Sequence, residues 1–212
     1  MRWDNLFDDL ESQLEHELGV DDLELRVEEE RLRLGRLTLR SRLRAASETA
    51  GRRPDPLHLW LIDGSDVRLR PTTFGRDWVS GESAADATGG GVARTAGPRV
   101  IIPLDAIASI VLDPGQLERS LTAEPDPDAV RPGGPSPGLI DRLGLPFALR
   151  DLARRRAAVS VTTVSATIHG TIDRVARDHF DLAVHERGTP RRASNVRGVR
   201  IVPMASVVIV RL

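Results

Sequence analysis

Three histidines fall close together near the end of the chain, His169, His179 and His185, with Glu186 beside the last. Imidazole and carboxylate are ligand types for zinc and related metals. With a turn centred near Arg177, His169 and His185 become neighbours on adjacent strands. Histidines on a solvent-facing strand are the commoner arrangement, so no metal or other cofactor is expected. Nucleophilic chemistry lacks its signatures: there is no Ser-His-Asp order, no nucleophile elbow, and the glycines at 89–91 have no Gly-Lys-Ser/Thr after them. No pair of carboxylates stands out for acid–base work. A non-enzymatic protein is expected.

Arginines form the more informative polar feature. "RDLARRR" carries Arg154, Arg155 and Arg156, and "RGTPRRASNVRGVR" carries Arg191, Arg192, Arg197 and Arg200. Planar guanidinium groups clustered in this way suit a phosphate backbone. The chain has no tyrosine, three tryptophans and four phenylalanines, which leaves few stacking platforms for bases. Binding of RNA or single-stranded DNA would therefore be driven by the backbone and only weakly selective for sequence. A solvated basic surface is the alternative.

The composition bounds the rest. All thirty basic residues are arginine, and net charge is −1. That near-zero sum conceals two opposed ends: residues 1–30 hold twelve acids against two arginines, a balance of −10, and residues 139–212 hold thirteen arginines against six acids, +7. Without cysteine, disulfides, thiolate metal sites and thiol nucleophiles are excluded. No early apolar run or 18-residue apolar stretch is present, so a cytoplasmic protein with no membrane segment is expected.

These side chains need elements to hold them. "MRWDNLFDDLESQLEHELG" spaces Trp3, Leu6, Phe7, Leu10, Leu14 and Leu18 by threes and fours, the pattern of an amphipathic helix. Trp3, Phe7, Leu10 and Leu14 would then pack on their own domain or dock a protein partner or second copy. A second helix is expected from Asp21 or Asp22 to Gly35.

Beyond Gly35 the chain repeats itself. "LGRLTLRSRLRAA" (34–46) matches "LGLPFALRDLARRRAA" (143–158) as a short helix, with Thr38 as cap of the first and Pro146 in the first turn of the second. Strand-like runs follow in "PLHLWLIDG" and "AVSVTTVSATIHG". Each copy then has an Arg-Asp turn, at Arg76-Asp77 and Arg177-Asp178. "RVIIPLDAIASIVL" (99–112) matches "VRIVPMASVVIVRL" (199–212), with Pro103 and Pro203 breaking the last two strands. Four matching blocks in one order indicate duplication. Each unit reads as a helix followed by about five short strands that curl to bury one face.

That order resembles the Sm and Sm-like family of small, SH3-type β-barrels. "IHGTIDRVARDHFDLAVHE" is similar to the family's first signature. The resemblance implies Gly170 as the glycine that bends the second strand, Asp178 as the turn acid and Asp181 near a base-contacting position. "IVPMAS" (201–206) stands where the second signature is expected. The opening "MRWDNLF" is similar to that of some actinobacterial proteins.

The expected organisation is mainly β with helices (α+β). It comprises an acidic helical arm over 1–30, a first barrel unit over 31–113, a Pro/Gly-rich linker over 114–138 and a second barrel unit over 139–212. "ESAADATGGGVARTAGP" is an insertion between the third and fourth strands of the first unit. Two functions follow as expectations: a nucleic-acid backbone binder using the C-terminal arginines, or an interaction adaptor that docks a protein partner or its own copy.

Overall fold

The computed structural model describes residues 25–49, 53–84, 97–124 and 138–212. Trp3, Phe7, Leu10 and Leu14, most of the insertion and most of the linker lie outside the described residues. Among the described residues are four helices and ten strands, an α+β protein.

Helix α1 occupies 25–35 and α2 is Leu39–Ser47. Thr38 starts α2 as expected: its hydroxyl accepts from the Ser41 amide, and the Ser41 hydroxyl accepts from the Thr38 amide, so two orphan donors are satisfied reciprocally. Strands β1 (Leu57–Leu61), β2 (Asp66–Phe74), β3 (Trp78–Ala84), β4 (Arg99–Pro103) and β5 (Ile107–Val111) follow. Asp63-Gly64 makes the first hairpin turn, with Gly64 at φ +81, a conformation that favours glycine.

The expected linker needs correction at its start, because Pro114–Leu121 is helix α3. Asp113 caps it through Gln116 N–H at 2.8 Å, the Gln116 side chain answers the Asp113 amide at 3.2 Å, and Pro114 fits a first-turn position that needs no N–H. Helix α3 packs against α2, with Arg119 bonded to the Ala46 carbonyl and to Asp55.

The second unit contains helix α4 (Leu145–Arg154) and strands β6 (Ala158–Thr163), β7 (Thr167–Val175), β8 (His179–Val184), β9 (Gly198–Pro203) and β10 (Val207–Arg211). "AVSVTTVSATIHG" is thus two strands rather than one. Thr163 closes the turn between them by donating to the Ala166 carbonyl and accepting from its amide.

All ten strands join one antiparallel sheet in the order β5-β1-β2-β3-β4-β10-β6-β7-β8-β9. Within each half, the unit's own strands run fifth, first, second, third, fourth. Two separate closed barrels are not what forms: the sheet is open and continuous, because the fifth strand of the second unit pairs with the fourth strand of the first. Its core has two lobes that exchange residues at that seam. Val208 and Ile209 of β10 pack among Leu57, Leu69 and Ile102 of the first unit, whereas Trp78 and Ile101 pack among Leu149, Phe180 and Val210 of the second.

Candidate interaction surfaces

The two Arg-Asp turns are one device used twice. Gly75 N–H bonds the Trp78 carbonyl at 2.8 Å, and Ala176 N–H bonds the His179 carbonyl at 2.9 Å. The Asp77 carbonyl accepts from Leu104 N–H at 3.0 Å, and the Asp178 carbonyl from Met204 N–H at 2.8 Å. Register repeats too: Trp78 faces Pro103 and Val79 faces Ile102, while His179 faces Pro203 and Phe180 faces Val202. Each second strand is bulged at the same place, between Pro71 and Thr73 and between Ile172 and Arg174.

What differs is what each turn touches. The first turn grips the second unit: the Asp77 carboxylate accepts from Leu145 N–H at 2.7 Å, and Trp78 Nε1 and Arg76 N–H both donate to the Leu143 carbonyl at 3.0 Å. Gly144 has no side chain to cap α4, so Asp77 supplies the acceptor from another element. The second turn is exposed, and the Asp178 carboxylate pairs with its own neighbour His179, at 2.7 Å, rather than with another unit. That hydrogen bond holds the Asp178 carboxyl below its ordinary range.

At the seam Val210 faces Ile101, Arg211 faces Val100, and Leu212 N–H bonds the Arg99 carbonyl at 2.9 Å. The outer strands of the sheet, β5 and β9, each have one neighbouring strand among the described residues. Sequence reading missed the seam. Its signal was present in "VVIV" (207–210), an unbroken apolar run suited to a strand buried on both faces, whereas the matching "IASI" (107–110) is interrupted by Ser109.

The segment before α4 also crosses to the first unit. Asp141 is held there by Arg44 and by Arg40, the latter buried and 2.7 Å away. Burial pushes the Asp141 carboxyl up, but the hydrogen bond and charge of Arg44, with Arg40 behind them, outweigh it and keep the group below the usual carboxylate range.

The expected arginine surface is partly neutralised. Arg154 and Arg155 share Asp151 at 2.5 and 2.8 Å. Arg191 grips Asp173 with two bonds, 2.7 Å through Nε and 2.5 Å through an Nη, and this bond raises its pKa. Arg197 pairs with Glu186. Arg156, Arg192 and Arg200 are exposed and make no ion pair among the described residues. Arg191 anchors its loop on β7 two residues from Thr171, which faces Ala158 just after Arg156, so the helix end and the loop approach one stretch of β7.

His169 and His185 are neighbours, as the turn position requires, with His185 N–H bonding the His169 carbonyl at 3.2 Å. His185 is not solvent-facing, however. It is buried, with Nε2 2.9 Å from the Thr171 hydroxyl and Nδ1 3.0 Å from the Glu186 carbonyl, both nitrogens engaged by protein groups. Among the described residues no group of three or more His, Cys, Asp or Glu is placed to hold a metal, and no helix is long and apolar enough to cross a membrane. Gly170 lies in β7 with a Cβ position 2.3 Å from the Ala183 carbonyl oxygen, so the bent pair of strands admits only glycine there.

No protein-family model, curated protein or solved structure matches this chain.

Proposed function

We propose that this protein is a non-enzymatic interaction module that binds partners by strand addition at the ends of its sheet. One observation carries the reading: the seam between the units is itself a strand addition, β10 on β4, and among the described residues the sheet ends in two strands paired on one side, β9 and β5. Main-chain hydrogen bonds supply affinity in such a mode, and alternate side chains supply selectivity. Charge and proline do little to guard either outer strand, although the pairing of β5 with β1 is bulged between Ser109 and Ile107. β5 carries no charge or proline, and β9 carries a single arginine, with Val199 and Ile201 exposed and its proline at the final position. The order fifth, first, second, third, fourth within each unit supports a kinship with Sm-like small barrels, here opened and fused through the seam.

A labelled peptide with the sequence of residues 107–112 and charged flanks tests the reading. It should bind the full chain saturably and slow amide exchange across 198–203. Absence of binding, or protection elsewhere only, would remove strand addition as the mode.

A nucleic-acid backbone is the second reading, favoured by Arg156, Arg192 and Arg200, which make no ion pair among the described residues. The pairing of Arg154, Arg155, Arg191 and Arg197 weighs against it.

A further inference from the structure

We infer that residues 1–18 seat on helix α4 of their own chain as an acidic amphipathic helix, in the place that α3 takes on α2. The inference is independent of strand addition and gives the second unit an intramolecular ligand.

The duplication supplies the template. Helices α2 and α4 align on their first residues, Leu39 and Leu145, and on the buried Leu43 and Leu149. In the first unit α3 covers the flank of α2 marked by Arg42 and Ala46: Arg42 donates to the Ser120 hydroxyl at 3.1 Å and Arg119 to the Ala46 carbonyl at 3.0 Å. The same alignment puts Ala148 at the place of Arg42 and Leu152 at that of Ala46. Helix α4 rests on β7, and among the described residues no helix packs on it as α3 packs on α2. Its flank has also changed character. An arginine that served a polar neighbour has become a half-buried alanine, and Phe147, in the place of Ser41, is 51% exposed. Small and aromatic side chains of this kind suit an apolar ridge rather than the polar Gln116 and Ser120 that α3 buries.

Charge and pattern name the occupant. Over 145–156 there are four arginines and one acid, Asp151, which Arg154 and Arg155 already share. Residues 1–18 hold six acids and one arginine. At about 100° per residue, Trp3, Phe7, Leu10 and Leu14 fall on one stripe, and Asp4, Asp8, Glu11 and Glu15 fall together along one side of it. Such a helix has an apolar face with an acidic flank, matched to a helix that exposes Phe147 among arginines. Helix α1 is a poorer seat. It exposes Leu25, Val27 and Leu32, but Glu28, Glu29 and Glu30 lie among them, and its Arg31 and Arg33 are already paired with Glu28 and Glu30. Reach is ample: residues 19–24 span up to about 20 Å when extended, and an 18-residue helix adds about 27 Å. A segment joined covalently to its seat acts at an effective concentration on the order of millimolar, so a modest patch suffices to hold it.

The absence of cysteine gives a direct test. In the full chain Ser12→Cys, on the far side of the predicted helix from the stripe, carries a nitroxide label, and paramagnetic broadening of backbone amides is read by NMR. Amides of 147–156 should broaden. Phe7→Asp should abolish that broadening, and high salt should weaken it. Inverting α4 with Asp151→Arg, Arg154→Glu and Arg155→Glu keeps its internal pairs and should release the helix; adding Asp8→Arg and Glu11→Arg should seat it again, which a folding defect would not allow. Broadening confined to α1 and α3, or absent from α4, overturns the inference. Retained broadening in Phe7→Asp or in the inverted α4 alone overturns it as well, as does a chain with all five charge changes that fails to recover. Finally, an isotope-labelled chain without nitroxide is mixed with a nitroxide chain without isotope. Its α4 amides should stay sharp; broadening there would make the segment of a second copy the occupant and overturn the intramolecular seat.

Discussion

The Asp77 carboxylate accepts the Leu145 amide at 2.7 Å, so the turn of one repeat caps the helix of the other. Its repeat equivalent Asp178 pairs instead with its own neighbour His179. Asp77→Ala should cost about 1 kcal/mol, within the usual range for a lost helix cap, whereas Asp178→Ala should change stability by less than about 0.5 kcal/mol, as expected of an exposed site. Urea unfolding of both variants checks this, with a shift in midpoint at constant slope expected for Asp77→Ala alone.

Glycine substitutions separate close backbone approach from mere flexibility. A Cβ at Gly170 would lie 2.3 Å from the Ala183 carbonyl oxygen and one at Gly81 2.1 Å from that of Arg70, while Gly198 has nothing within 4 Å. Gly170→Ala and Gly81→Ala should each destabilise by about 1–3 kcal/mol through forced backbone shifts. Gly198→Ala should unfold at nearly the wild-type temperature. Equal thermal midpoints for all three would contradict the tight strand approach.

Asp141 gives the protein an acid-labile tie between its units. Its carboxyl titrates lower in the folded chain than in the unfolded one, so its stabilisation is complete above the unfolded pKa of about 4 and fades as pH falls through the lower folded value. Asp141→Asn should lose on the order of 2 kcal/mol at neutral pH, the scale of a charged hydrogen bond, and its deficit should shrink below that window. Denaturation at pH 7 and pH 3 measures the convergence.

On the nucleic-acid reading, the phosphate contacts come from the cations that carboxylates leave available. Three contacts from Arg156, Arg192 and Arg200 give a salt slope of about −2 to −3. Replacing those three by serine should abolish the slope, and replacing Arg154, Arg155 and Arg197 should leave most of it. Titration of labelled single strands across a salt series distinguishes the two outcomes, and no binding at low salt would leave the protein-interaction reading alone.

Local chemistry made much of the fold legible. Thr38 and Pro146 announced their helices, and the paired Arg-Asp turns carried the duplication down to register, because turns and caps depend on residues a few positions apart. Helix α3 was legible in Asp113, Pro114 and Gln116 but was hidden by the glycine and proline that follow. The seam was not legible from periodicity, since β4 and β10 are about a hundred residues apart and pairing at that distance leaves only the unbroken apolar run of 207–210 as its trace. His185 was misplaced for a related reason: its burial depends on Thr171 across the sheet and on the fold-back of Thr189.

The long separation between β4 and β10 also sets a problem of timing. A ladder that joins residues so distant closes late, after the loop-closure entropy of everything between has been overcome. Until then β4 is an open template, and β5 of its own repeat, β5 of another chain and β10 of another chain are all competitors for it. The apolar run that makes β10 the strongest of these also makes it the segment most prone to exchange between molecules, so crowded refolding should partition between intramolecular closure and domain-swapped species. Slow dilution and late quenching, rather than rapid concentration, are the conditions under which the native pairing has time to win.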